Sequence, residues 1–262
     1  MGHQRLGRIP TTRKWSAVVD QVLGGSGLLA SDTPRIAAYT LDAASVALER
    51  SAGDEGLRYT FYLLAQVVLA SRQADWQEWL SRCGISLGRN ASVFDLVTAL
   101  QSAVDHYVES RARPTDISEM AQQAAGEALT SLAAGSAASL FGDDQPQVQS
   151  AVRSLSTKDG FSRLGQVFFG RFLARFLNFY LSRITAREVG GTGLPTVADV
   201  STFDGALRTH CDQSAWIVRD FCGRWYSRTV YLEGIDDRNS SRFMAVALRK
   251  LSKELARQRA ET

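Results

Sequence analysis

Length, composition and charge narrow the class of protein before any motif is considered. The chain has 262 residues, of which 45% are hydrophobic and 22% charged, a composition that suits one large or two smaller globular domains and argues against a disordered protein. A formal net charge of +3 is low for a protein dedicated to nucleic acid, and three cysteines are too few for a disulfide framework.

The basic residues are mostly arginine, since four of the 30 are lysine. Together with the many alanines, this bias is typical of a GC-rich bacterial genome. The first residues lack the continuous apolar segment of a secretory signal peptide. We therefore expect a cytoplasmic bacterial protein without a membrane span.

The chain begins with a basic tail at residues 1–14 that also contains apolar side chains. A solvated tail has no need of apolar residues, so we expect this one to dock on the protein's own body or on a partner, with disorder as the remaining alternative. The candidate interaction residues of the tail are Arg5, Leu6, Arg8, Ile9, Arg13 and Lys14.

Apolar residues at helical spacing predict a series of helices after the tail. Trp15, Val18 and Val22 form the stripe of the first one, and Ser92 with Asp95 resembles a capping box before another. The helices predicted up to residue 155 lie at about 15–23, 34–52, 55–72, 76–84, 93–108 and from 115 onward, with a short one ending near 155.

The most informative segment is the apolar run from Phe161 to Ile184, which contains six phenylalanines in one helical stretch. At 100° per residue these phenylalanines fall on one broad face, and Arg171 and Arg175 fall in a narrow polar strip. A helix that is apolar around most of its circumference is buried. We therefore predict that this helix, at about 159–187, lies at the centre of the fold.

The glycine-containing segment Val189–Thr196 is the strongest loop signal in the chain. It predicts either a long bend or a boundary between a main helical domain at 15–189 and a C-terminal helical subdomain at 200–262 that packs on it. A single compact unit is the alternative.

Beyond this loop, we expect one helix that is capped by Ser201 with Asp204 and carries Cys211 and Cys222 on one face. The stretch Trp225–Glu233 has strand character and is predicted as strand or loop. A last helix is predicted at 239–257.

These patterns together predict an all-α protein. We expect an irregular bundle of roughly nine to eleven helices around the aromatic-rich helix, with at most one short hairpin or strand near 225–233.

Charge is distributed unevenly along the chain. Residues 31–144 contain eight basic and fifteen acidic side chains, whereas residues 145–187 contain seven basic and one acidic side chain. The simplest interpretation is that these charges are solvated and scattered. A sharper one is a basic surface, formed by the tail and the arginines of the aromatic helix, that meets phosphate or an acidic partner.

The chain shows no recognisable catalytic, cofactor or metal motif, so we predict no catalytic, cofactor-binding or metal-binding residues and no cofactor. One further segment suggests binding, because it interleaves arginine with aromatic residues and so resembles the stacking platforms of single-strand binders. Packing inside a fold gives the same composition. The candidate residues there are Arg224, Trp225, Tyr226 and Arg228.

By elimination, we expect a non-enzymatic helical scaffold or adaptor subunit of a bacterial multi-protein assembly, with a protein partner. The first alternative is a nucleic-acid-binding component of a mobile-element or anti-phage system that uses an arginine and aromatic surface. The second is an enzyme whose site combines scattered acids and arginines.

Overall fold

The computed structural model describes residues 12–23, 32–111, 113–133, 145–188, 196–232 and 234–261. These residues form eleven helices and no strand, which confirms the predicted all-α bundle. The helices are α1 (Arg13–Leu23), α2 (Thr33–Ser51), α3 (Glu55–Ala70), α4 (Trp76–Arg82), α5 (Val93–Arg111), α6 (Asp116–Ala133), α7 (Gln145–Ser154), α8 (Lys158–Glu188), α9 (Val197–Ser214), α10 (Trp216–Leu232) and α11 (Asp237–Glu261).

Polar side chains start several of these helices by accepting backbone N–H groups of the first turn. The predicted capping box before α5 is confirmed, since the Asp95 N–H donates to Ser92 Oγ at 3.2 Å and the Ser92 N–H donates to Asp95 Oδ2 at 2.8 Å. The predicted Ser201–Asp204 cap is wrong. Thr196 and Asp199 form the capping box of α9, so Ser201 lies inside the helix.

The aromatic face of α8 is buried at the centre of the fold, as predicted. Phe161, Phe168, Phe169, Phe172 and Phe176 are all almost completely buried. Two aromatic residues from other helices complete the cluster. Phe61 of α3 lies 5.6 Å from Phe168, and Phe243 of α11 lies 5.1 Å from Phe61, measured between ring centroids. The cluster therefore joins three helices that are far apart in the sequence.

Glycines allow α8 and α10 to approach closely. A Cβ atom at Gly165 would lie 2.3 Å from Cys222 Sγ, and a Cβ atom at Gly223 would lie 2.5 Å from the Lys158 carbonyl oxygen. Because each glycine faces the other helix, the two backbones pack at a distance that no larger residue would permit.

The predicted strand or loop at Trp225–Glu233 is wrong as far as Leu232, and Glu233 lies outside the described residues. This stretch is the second half of α10. Its strand-favouring residues are helical because Val218, Cys222, Tyr226 and Thr229 recur at helical spacing and are buried together. Tertiary packing of this stripe outweighs the local preference.

The single helix predicted to carry both Cys211 and Cys222 is also wrong. The chain breaks at Ala215, which caps α9, and α10 starts at Trp216. The two cysteines therefore lie on different helices, where both are buried and free.

One continuous apolar core contains residues from Trp15 of α1 to Leu255 of α11. Residues 189–195, on which the predicted domain boundary depends, lie outside the described residues, so the division into 15–189 and 200–262 stays a prediction. In the part of the chain that the structure describes, no helix is long and apolar enough to cross a bilayer.

We expect Phe172→Ala to lower the free energy of unfolding by about 3–5 kcal/mol, because it leaves a cavity in the aromatic cluster. Phe94→Ala is the matched control, since Phe94 is 41% exposed on α5 and its loss should cost less than about 1 kcal/mol. Urea denaturation of the purified chains measures both values. Equal losses would contradict a central position for Phe172.

Two glycine substitutions test the close approach of α8 and α10. Gly165→Ala should destabilise the protein by about 1–3 kcal/mol, because the new methyl group overlaps Cys222. Gly205→Ala in α9 should instead stabilise it by about 0.5–1 kcal/mol, since a Cβ there meets nothing within 4 Å and alanine favours the helix. Thermal unfolding measures both changes, because Gly165→Ala should lower the melting temperature and Gly205→Ala should raise it. Two shifts in the same direction would contradict the close packing of α8 against α10.

Candidate functional site

Four candidate residues of the tail, Arg5, Leu6, Arg8 and Ile9, lie outside the described residues. The remaining two belong to the first turn of α1. Lys14 Nζ lies 3.0 Å from Asp42 Oδ1 of α2, and the two side chains are 57% and 39% exposed. Surface ion pairs of this kind contribute little stability. The contact does show that the first turn of α1 packs beside Asp42 of α2.

The structure separates the aromatic candidates of α10 from the arginine candidates. Tyr226 is buried and stacks on Phe161 with ring centroids 4.2 Å apart, and the half-buried Trp225 packs 4.6 Å from Phe243. Arg224 and Arg228 are exposed on the opposite side. Because consecutive helical residues point about 100° apart, the four residues do not form one platform.

A different set of aromatic and aliphatic residues is exposed on α10. Trp216 is 61% exposed and Tyr231 is 86% exposed, and four of the seven large exposed apolar side chains among the described residues belong to this helix. Such residues normally lie inside, so their concentration on one helix is informative. We define the outer face of α10 as Trp216, Ile217, Arg224, Arg228, Tyr231 and Leu232.

The outer face carries an excess of positive charge. The sequence of α10 contains three arginines and one aspartate, and that aspartate, Asp220, lies between Arg224 at 3.1 Å and Lys158 at 3.6 Å. Arg219 stacks over Trp216, with its Cζ atom 4.2 Å from the ring centroid. This cation–π contact leaves Trp216 exposed while it restricts the orientation of the indole ring.

A second candidate site joins α6, α8 and α9. Glu127 of α6 accepts from Arg175 of α8 and from Arg208 of α9, and its Oε2 lies 3.4 Å from Arg171 Nε. Arg171 Nη1 also donates to Asp212 Oδ2 of α9 at 2.8 Å. We call these five residues the acid/arginine cluster. Through it, one glutamate contacts guanidinium groups from two other helices.

Close packing brings the Asp212 carboxylate against α8. A Cβ atom at Gly170 would lie 2.3 Å from Asp212 Oδ1, so only glycine leaves room for this oxygen. Asp212 Oδ1 and Arg175 Nε are buried without a hydrogen-bond partner among the described residues. Burial raises the pKa of the Asp212 carboxyl, and the neighbouring Arg171 and Arg208 offset that increase in part.

A cleft of about 360 Å³ lies beside the cluster and is also lined by Asn178, Ser201 and Asp204. Burial raises the pKa of the Asp204 carboxyl. Arginine binds carboxylates in a bidentate fork, but here Glu127 already occupies the guanidinium groups that would bind an anionic ligand. The arrangement is therefore best explained as an internal ion-pair network that fixes the positions of three helices.

The sequence analysis identified two of the five residues of this cluster. It placed Arg171 and Arg175 on the polar strip of α8 but missed their partners on α6 and α9. The available signal was the spacing of four between Arg208 and Asp212, which matches the spacing of Arg171 and Arg175 and puts opposite charges on one side of a helix. Only the tertiary structure shows that the arginines of α8 pair with carboxylates of α6 and α9.

Three titratable groups on α9 and α10 have pKa values that burial shifts. Burial raises the pKa of the Cys211 and Cys222 thiols, which disfavours the reactive thiolate. Burial lowers the pKa of His210. In the described ranges, no group of three or more His, Cys, Asp or Glu residues is placed to hold a metal ion.

Comparisons of the chain with protein-family models, with curated proteins and with solved structures find no match. The function is therefore inferred from the geometry alone.

We expect Glu127→Ala to lower the free energy of unfolding by roughly 1–3 kcal/mol, because it leaves Arg171, Arg175 and Arg208 without their shared carboxylate. Glu78→Ala is the matched control, since it removes an exposed glutamate that pairs with Arg82 within one helix and should cause no measurable change. Urea denaturation at neutral pH measures both. A Glu127 variant as stable as the control would show that the cluster does not hold the three helices together.

Proposed function

We propose that the protein is a non-enzymatic helical adaptor subunit of a bacterial multi-protein assembly and works in the cytoplasm. The observation that carries the proposal is the outer face of α10, where Trp216 and Tyr231 are exposed at opposite ends of one helix. At 1.5 Å per residue these two side chains lie about 22 Å apart along the helix axis. Two anchor residues at this separation define a surface long enough to contact a protein partner.

The composition of the outer face supports a protein interface. Tryptophan, tyrosine and arginine are the residues that most often dominate binding energy at interfaces. Trp216, Tyr231 and the arginines between them provide all three types on one surface. The aromatic core and the close packing of Cys222 against Gly165 hold this helix on α8, so little conformational entropy is lost on binding.

The charge of the face indicates what kind of partner fits. The outer face contains Arg224 and Arg228, and the neighbouring Arg219 and Asp220 of α10 offset one another, so the complementary surface is acidic with apolar pockets for Trp216 and Tyr231. We therefore commit to an acidic protein partner. Rim charges of this kind change association rates and salt dependence more than affinity.

The first alternative, nucleic-acid binding, depends on the same face. Arg219 stacked on Trp216 is an arrangement on which an unpaired base also stacks. The two functions differ in their response to salt, since phosphate contacts make affinity fall steeply as salt rises. The second alternative is an enzyme, and the acid/arginine cluster is the site that it would use. Glu127 pairs there with the three arginines that would otherwise bind an anionic substrate.

The test compares proteins retained from a bacterial lysate by the wild-type chain, by a Trp216→Ala/Tyr231→Ala chain and by a Val246→Ala chain. Val246 is the matched control, because it is an exposed apolar residue of α11 outside the outer face. We expect the double substitution to weaken binding of a specific acidic partner by about 30-fold or more, whereas the control retains it. Titration of the purified partner against each chain gives the affinities.

Two results would contradict the proposal. Equal retention of every protein by all three chains would show that the outer face has no recognition role. Retention that disappears after nuclease treatment, or that collapses between low and moderate salt, would assign the face to nucleic acid instead.

A further inference from the structure

An apolar groove lies between α2, α6 and α8, and no residue of α10 lines it. It has a volume of about 720 Å³. Phe176, Phe179 and Tyr180 of α8 and Met120 of α6 line it, together with Val46 of α2, which is 58% exposed. An exposed valine beside aromatic side chains is an apolar surface that water solvates poorly, so a covering segment would be stabilised there.

The first turn of α1 stands at one end of this groove. Trp15 lines it, with its ring 4.9 Å from that of Tyr180, and Lys14 is paired with Asp42. Helix α2 contributes residues from Ala43 to Ser51, about 12 Å of helix, whereas α1 contributes Trp15. Trp15 lies in the first turn of α1, so the N-terminal end of α1 is the end next to the groove.

The length of chain before Thr12 matches the groove. In an extended conformation, Ile9 reaches about 10 Å from Thr12 and Leu6 about 20 Å, so these side chains bracket the roughly 12 Å of α2 that line the groove. Pro10 restricts Ile9 to extended conformations, which favours such a path.

The chemistry of the segment also fits the groove. Leu6 and Ile9 are apolar like the aromatic and aliphatic side chains that line the groove. The lining also includes Asp116, which attracts the basic Arg5 and Arg8, and Asp54, whose carboxylate already accepts from Leu57 N–H and Thr115 Oγ1. Because Arg50 lines the groove as well, the match depends chiefly on the apolar side chains.

We propose that residues 1–11 of this chain occupy the groove between α2, α6 and α8, with Leu6 and Ile9 against its apolar floor. The tail is then an intramolecular part of the fold rather than a partner-binding arm. This inference is independent of the outer face of α10, so either can fail without the other.

Cysteine labelling tests the occupancy in the full chain. Val46→Cys places a thiol in the groove, and Val246→Cys places one on the exposed surface of α11 as a matched control. Each cysteine variant is made with three tails: the natural tail, the Leu6→Asp/Ile9→Asp tail and the Gln4→Asp/Thr11→Asp tail. The last tail is a control, because it adds the same negative charge without removing apolar side chains. Peptide mass spectrometry separates the new thiol from Cys83, Cys211 and Cys222.

With the natural tail we expect the thiol introduced by Val46→Cys to react at least tenfold more slowly than it does in the Leu6→Asp/Ile9→Asp chain, because burying one such side chain shifts an open–closed equilibrium ten- to hundredfold. The Gln4→Asp/Thr11→Asp chain should stay slow, and labelling at position 246 should not change. Adding a free peptide of residues 1–11 to the Leu6→Asp/Ile9→Asp chain should restore slow labelling.

Other outcomes overturn the proposal. Equal labelling rates with all three tails would show that the groove is not covered by this segment. Protection that is lost in both charged variants would show that apolar docking is not the cause. Protection that increases with protein concentration would show that the tail of a second copy occupies the groove.

Discussion

Burial of the α8 aromatic face is the interaction on which the other features of the structure depend. Phe61 and Phe243 reach this face from α3 and α11, and Phe161 stacks on Tyr226 of α10. These rings contribute large apolar areas and favour offset or edge-to-face contacts, so the cluster fixes distance and also rotation of each helix. The outer face of α10 and the arginines of the polar strip on α8 therefore lie on helices that this packing orients.

The polar strip of α8 shows how a buried helix accommodates charge. The side chains of Arg171 and Arg175 are 19% and 32% exposed, and the cost of burying a guanidinium is large unless it is paired. Glu127 and Asp212 provide those partners from two other helices. Part of the positive charge at 145–187 is thereby paired with carboxylates, so these two arginines contribute less to the basic surface that the uneven charge distribution suggested.

The helical conformation of α10 decides which aromatic residues are available for binding. The rotation of α10 that buries Cys222 against Gly165 also buries Tyr226 against Phe161. The same rotation exposes Trp216 and Tyr231, which recur on the opposite side of the helix. The aromatic residues of the candidate interface are therefore Trp216 and Tyr231, in place of the predicted Trp225 and Tyr226. The predicted Arg224 and Arg228 remain candidates because both are exposed.

The sequence alone determined the all-α class, the buried position of α8 and the capping box at Ser92, because helical periodicity and capping are local patterns that survive without knowledge of the neighbours. It misassigned the second half of α10, where β-branched and aromatic residues are strand-favouring in isolation. Only the tertiary structure decided that conformation, the break at Ala215 and the pairing of Glu127 with three arginines. Each depends on contacts between helices that are distant in the chain, and a single sequence does not show which distant residues meet.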